Sequence, residues 1–131
     1  MTKTSDTHAR TVSAVVLFAH GSRDPQWVHP FRVVQEKLAA QRPELAVELA
    51  FLEFMQPSLP EAVNRLATAG HGRITIAPLF MAQGAHMKRD LEGLAAGLRA
   101  RHAGIEIKVL PAAGEAGPVL DAISAWLAGC A

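Results

Sequence analysis

The sequence predicts an α/β fold: one four-stranded, mostly parallel sheet with helices on both faces, of the flavodoxin-like kind. Short apolar runs that read as buried strands alternate four times with longer segments of helical period. Turn and capping residues stand at the junctions. No linker or low-complexity tract interrupts the alternation, so a βαβαβαβα order in one layered domain follows. The elements can be taken in chain order. The first strand is expected over Ser13–Ala19, and the next helix has Asp24 as N-cap and Pro25 at its first position. Trp27, Phe31, Val34 and Leu38 recur along that helix at spacings of four, three and four, marking its buried face. A second strand over residues 45–52 leads to a helix opened by Ser58-Leu59-Pro60-Glu61, which has capping-box spacing. Leu59, Val63 and Leu66 are its buried stripe and Gly70 ends it. A third strand, Arg73–Pro78, precedes a helix that starts near His86 and buries Leu91, Leu94, Ala95 and Leu98. The fourth strand covers residues 105–110, and the last helix follows Gly117-Pro118 with Val119, Ile123 and Leu127 turned inward.

Composition narrows the function classes. The chain has 131 residues, enough for one domain with a core: residues 12–131 form it, and residues 1–11 read as a flexible tail. Half the residues are apolar and 19% are charged, which argues against disorder. The net charge is +1 and no basic run exceeds Lys88-Arg89, so no nucleic-acid partner is expected. The single cysteine, Cys130, excludes an internal disulfide and fits a reducing compartment. The first eleven residues are polar, unlike a secretory signal, and no run approaches the roughly 18 apolar residues that span a bilayer. The expectation is a soluble cytoplasmic protein without a membrane partner.

Two histidines carry the chemistry. His20 follows the run Ala14-Val15-Val16-Leu17-Phe18-Ala19, and His86 follows the strand at Ile74-Thr75-Ile76-Ala77-Pro78 and a short loop. Each opens the way into a helix. In parallel α/β folds the ligand crevice lies at the carboxyl ends of the strands. In a 2-1-3-4 strand order the first and third strands are neighbours, and His20 and His86 face each other there. Imidazole is a good ligand for cobalt, iron, nickel or zinc, and it also accepts a proton near neutral pH. Two imidazoles make a weak site, which suits an ion that is handed on. Gly21 and Gly84 either leave room beside the histidines for a large flat ligand or serve only the turn geometry. Met81, Ala82, Gln83 and Ala85 form an apolar floor. Ser22, Arg23, Lys88 and Arg89 are candidate contacts for carboxylates. Glu53 and Gln56 lie at the same sheet edge as candidate hydrogen-bonding groups. His71 and His102 precede strands and belong to the opposite edge, while His8 and His29 read as tail and surface residues.

Three segments resemble one known family. Phe18-Ala19-His20-Gly21-Ser22-Arg23-Asp24-Pro25 is similar to the signature of class II tetrapyrrole chelatases, and most similar to their small sirohydrochlorin cobaltochelatase branch, CbiX. The stretches from Phe51 to Ala62 and from Ala77 through His86 to Leu91 resemble the same branch, in the same order. The likeness runs from about Val12 to Leu127. It implies ATP-independent insertion of a divalent metal into sirohydrochlorin, in cobalamin or siroheme biosynthesis. Cobalt(II) is favoured by the branch, and iron(II) or nickel(II) are chemically acceptable. It implies no cofactor beyond the metal substrate. In the family's terms His20 binds the metal and accepts protons from the pyrrole nitrogens, and His86 is the second ligand. The loop Met81, Ala82, Gln83, Gly84, Ala85 and His86 lines the macrocycle, and Gln56 touches it. Some members carry an acid where this chain has Gln56, which leaves Glu53 as the nearby acid. The resemblance also implies a homodimer that holds the macrocycle between two lobes, with the apolar loop around Phe80 and Met81 favouring the pairing. The alternative is a non-catalytic carrier of metal or tetrapyrrole on the same fold. A phosphate-transfer histidine needs an arginine where Ala19 stands, and a hydrolytic zinc site needs a third protein ligand.

Overall fold

A computed structural model describes residues 12–131, so the expectation of a flexible tail at residues 1–11 lies outside the described residues. Strands β1 (Ser13–Ala19), β2 (Ala46–Phe51), β3 (Arg73–Pro78) and β4 (Glu106–Val109) form one sheet in the order β2-β1-β3-β4. All three pairings are parallel, and Phe18 of β1 lies between Ala50 of β2 and Pro78 of β3. β1 and β3 are neighbours at the centre, as the flavodoxin-like order requires. The chain leaves β1 toward β2 on one side and passes from the helix after β2 to β3 on the other. The carboxyl ends of β1 and β3 therefore mark the switch point.

Helices α2 (Leu59–Thr68) and α3 (Ala85–Arg101) cover one face. Val16, Phe18, Ile74 and Ile76 of the sheet pack there with Leu59, Val63 and Leu66 of α2 and with Leu91 and Leu98 of α3. Burial of each such side chain contributes about 1.5–3 kcal/mol. The capping box of α2 forms as the sequence predicts: the Glu61 N–H donates to Ser58 Oγ, and the Ser58 N–H donates to Glu61 Oε1 at 2.8 Å. The other face is smaller. Leu17, Ala19, Leu49 and Phe51 meet Val28 there, with Trp27 and Phe31 against them. Trp27 belongs to a 3-10 turn, Pro25–Val28, and Phe31 to helix α1, His29–Gln41. Asp24 caps that turn by accepting from the Gln26 N–H. Among the described residues, no helix is long and apolar enough to cross a membrane.

Two expected helix faces differ. Val34 of α1 is exposed, and the inward positions are taken by Val28 and by Gln35, whose Nε2 donates to the Val47 carbonyl at 2.8 Å. A 3-10 turn advances three residues per turn, so opening the segment on Pro25–Val28 shifts the phase that a uniform 3.6 spacing from Trp27 assumed. The second difference is larger. Helix α4 (Gly117–Cys130) follows a 3-10 turn, Ala113–Glu115, and buries none of its residues. Val119 and Ile123 are only half-buried, Leu127 is exposed, and Trp126 is 67% exposed. An apolar period identifies a helix that needs a partner surface, and the described residues cover this one only in part.

Candidate functional site

His20 is the first residue beyond β1 and is exposed at the carboxyl edge of the sheet. Two further rungs hold it there. The Leu52 N–H donates to the Ala19 carbonyl at 2.9 Å, and the Glu53 N–H donates to the His20 carbonyl at 3.1 Å. Gly21 makes this possible. It has φ +92°, and a Cβ built on it would overlap the Glu53 carbonyl oxygen. Of the two roles the sequence leaves open for Gly21, turn geometry has a visible cause, since the first neighbour of an added carbon is the backbone of Glu53.

Beneath His20 lies Phe80, 4% exposed, with its ring centroid 4.3 Å from that of the imidazole. Phe80 also packs on Phe18, at 5.8 Å between centroids. The loop that carries it is tied at both ends: the Leu79 N–H donates to the Phe18 carbonyl at 2.8 Å, and the Gly114 N–H to the Phe80 carbonyl at 2.9 Å. Gly114 passes so close that a Cβ on it would overlap the Met81 carbonyl. Because Phe80 is buried, it is unavailable for pairing between copies. Met81, 64% exposed, is the apolar residue this loop presents.

The loop leads into α3, whose N-cap is Gly84 with φ −70° and open space around its Cα. His86, in the first turn, is exposed, and its Nε2 lies 3.3 Å from Asp90 Oδ2, one turn on. A carboxylate on one ring nitrogen orients an imidazole and leaves the other nitrogen for a ligand. Sequence reasoning did not single out Asp90, although the i,i+4 spacing was there to be read. Ala82, Gly84 and Ala85 are exposed along the loop. Gln83 is half-buried, with its Nε2 buried and without a hydrogen-bond partner. It borders a cavity of about 200 Å³ with Lys88, Leu91, Glu92, Leu110 and Glu115.

The candidates divide accordingly. His20, Glu53 and the Phe80–Met81 loop are joined by direct contacts, and His86 stands at the end of the neighbouring strand's loop. Gln56 lines a separate cavity of about 230 Å³ beside α1 and β2, with Arg32, Gln35 and Glu48. Ser22 Oγ accepts from the Asp24 N–H at 3.0 Å and so shapes the turn. Arg23 places its guanidinium carbon 4.8 Å from the ring centroid of Phe54. That phenylalanine was not anticipated from sequence. It has φ +68°, which costs a bulky residue about 1–3 kcal/mol. His71 and His102 precede β3 and β4, at the opposite edge, and each keeps one buried ring nitrogen without a partner. Among the described residues, no group of three or more His, Cys, Asp or Glu is placed to hold a metal ion. His20 follows β1, and His86, with the Asp90 carboxylate beside it, opens the helix after the neighbouring β3.

Comparison with known proteins gives the following. The CbiX family model matches residues 14–128. The sirohydrochlorin cobaltochelatase of Methanopyrus kandleri is 42% identical over 82 residues, which cover 60% of this chain and 54% of that protein. The sirohydrochlorin cobaltochelatase of Methanococcus aeolicus is 36% identical over 80 residues, 61% of this chain and 56% of that one. The chain thus spans about half the length of the curated relatives it matches. Among solved structures, a protein described as a CbiX protein of cobalamin (vitamin B12) biosynthesis, from Marinobacter aquaeolei VT8, superimposes with a TM-score of 0.76 at 30% identity. That match covers 89% of this chain and 95% of the other. The sirohydrochlorin chelatase SirB of a Bacillus subtilis subspecies, solved in complex with cobalt, matches with a TM-score of 0.74 at 23% identity. It covers 89% of this chain and 50% of SirB, and shows a shared fold.

Proposed function

The chain belongs to the CbiX family, and from that membership we propose that it inserts a divalent metal ion, cobalt(II) by preference, into sirohydrochlorin without ATP. What supports this reading is that His20 directly follows β1 and His86 opens the helix after β3, the two strands being neighbours in the sheet, and that both histidines are exposed. The names of the relatives, and the cobalt bound by SirB, support the choice of substrate and metal. The setting proposed is cytoplasmic tetrapyrrole biosynthesis leading to cobalamin or siroheme.

Insertion removes two protons from pyrrole nitrogens and strips water from the ion; the products are the metallated ring and two protons. His20 and His86 replace water ligands on the incoming metal. His20, fixed against Phe80, then takes a pyrrole proton as the metal passes to the ring, a general-base step. Asp90 keeps the His86 ring oriented, and Glu53, whose N–H donates to the His20 carbonyl, is the acid proposed for the second proton. The loop from Met81 to His86 lies along the macrocycle. Gln56 stands further out and contributes at most an outer hydrogen bond to an acid side chain of the ring.

An anaerobic absorbance assay with sirohydrochlorin and cobalt(II) tests the proposal. Protein-dependent insertion above the spontaneous rate is expected. Binding of metal or tetrapyrrole with no gain in rate, also with iron(II) and nickel(II), would overturn it in favour of a carrier.

The same reading includes a homodimer with the macrocycle between two lobes. The feature that supports pairing is α4, which presents Leu120, Trp126 and Leu127 to solvent. Analytical ultracentrifugation is expected to show a dimer, and Trp126→Glu combined with Leu127→Glu is expected to give a monomer. Because both side chains are exposed in the single chain, the variant keeps its fold, which circular dichroism checks. A parent that sediments as a monomer at all concentrations removes the dimer.

A further inference from the structure

Phe54 is a bulky aromatic residue held at φ +68° and yet 55% exposed. Strain of this kind persists where the surroundings over-determine it, and it clusters at functional sites. The usual return for straining the backbone around a large apolar side chain is its burial, and Phe54 is turned outward. Its placement is specific. It follows Glu53, whose N–H holds the His20 carbonyl and whose own carbonyl lies against Gly21. The ring therefore stands beside the histidine loop, on the strap that fixes it. Arg23 lies 4.8 Å from the ring centroid, within the range of a cation–π contact, and holds the ring from one side. Leu52, also exposed, adds apolar surface two residues away. An isolated exposed phenylalanine is ordinary on a protein surface. One that is strained, backed by a guanidinium and fastened to the loop of a candidate metal ligand has another explanation.

We propose that Phe54 is the aromatic platform on which the face of the tetrapyrrole stacks, with Arg23 set beside it to meet one of the macrocycle's carboxylates. The proposal rests on the tetrapyrrole reading above and adds the group that holds the ring over His20. Stacking of a flat conjugated ring on the Phe54 face opposite Arg23 is favourable in offset geometry, and the guanidinium over the other face can turn to a carboxylate that reaches past the ring. Phe54 is a binding residue in this account, and it takes no proton.

The test separates the ring from the backbone. Glycine adopts a positive φ without strain, so Phe54→Gly removes the platform and relaxes the loop. Phe54→Tyr keeps an aromatic face. Titration with metal-free sirohydrochlorin is expected to show at least tenfold weaker binding for Phe54→Gly and less than threefold change for Phe54→Tyr. Thermal melting of Phe54→Gly is expected at or above that of the parent, and its cobalt(II) affinity without tetrapyrrole within twofold. Unchanged sirohydrochlorin affinity in Phe54→Gly would overturn the proposal. So would a parallel loss of cobalt(II) affinity, which would mean that the whole site had collapsed, or an equal loss in Phe54→Tyr. A parent that binds no sirohydrochlorin removes this proposal together with the tetrapyrrole reading. A parent that binds sirohydrochlorin but inserts no cobalt removes the chelatase reading alone, and the two Phe54 affinities still decide the platform.

Discussion

Replacing His20 with alanine is expected to bring cobalt(II) insertion into sirohydrochlorin down to the spontaneous rate. In the proposed reaction His20 is both a metal ligand and the base that takes a pyrrole proton, and loss of a positioned base alone costs about 10²–10⁴-fold. His86→Ala removes a ligand and leaves the base. Its rate at low cobalt(II) is expected to fall steeply, then recover in part as the metal is raised, because mass action replaces affinity. His20→Ala is not expected to recover. Both side chains are exposed, so both variants are expected to fold. Their urea midpoints are expected to fall only slightly, since His20→Ala loses a ring contact on Phe80 worth about 0.5–1.5 kcal/mol and His86→Ala an exposed pair with Asp90 worth about 1 kcal/mol or less. The kinetic split between the two is read from initial rates across a cobalt(II) titration. Equal turnover by parent and both variants would leave the activity standing and remove these two residues from it.

What the strand pattern made legible was the sheet edge to which His20 and the loop before His86 belong. An apolar run ending in a polar residue says where a buried strand reaches the sheet edge, and matching runs place their last residues at the same edge. The α2 cap was equally plain, since Ser58 and Glu61 satisfy each other within four residues. Features that depend on remote contacts were not legible. Nothing local to Trp27 announces that the segment opens as a 3-10 turn and turns Gln35 inward to the Val47 carbonyl. The period of Val119, Ile123 and Leu127 shows an apolar face but not which surface covers it, and among the described residues nothing buries any of the three fully. Phe80 read as a loop residue because its burial depends on Phe18 and His20 from another segment. Phe54 sits among ordinary apolar neighbours, and only its φ and exposure distinguish it. Asp90 is the contrary case: its partner is one helical turn away and the spacing alone could have found it.

Gly21→Ala is expected to damage the protein before any ligand is added. The residue sits at φ +92°, and the new Cβ would fall on the Glu53 carbonyl oxygen, an atom of the backbone that no rotamer change can move. Either residue 21 leaves its conformation or the segment from Leu52 to Phe54 retreats. Retreat breaks the rungs at Ala19 and His20. Strain and overpacking together put the cost at about 2–4 kcal/mol, read as a lower urea midpoint at unchanged slope. Displacing His20 by about 1 Å is further expected to lower insertion by about 10²-fold. Gly84→Ala is the control, since Gly84 has φ −70° and nothing within 4 Å of the added carbon. It is expected to cost about 1 kcal/mol or less, as for alanine at a helix N-cap. The pair distinguishes two roles for a glycine beside a histidine. If Gly21 served only to admit a flat ligand, Gly21→Ala would unfold like the parent and fail only in binding. A loss of stability in ligand-free protein, absent from Gly84→Ala, assigns Gly21 to the strap that holds His20 in place.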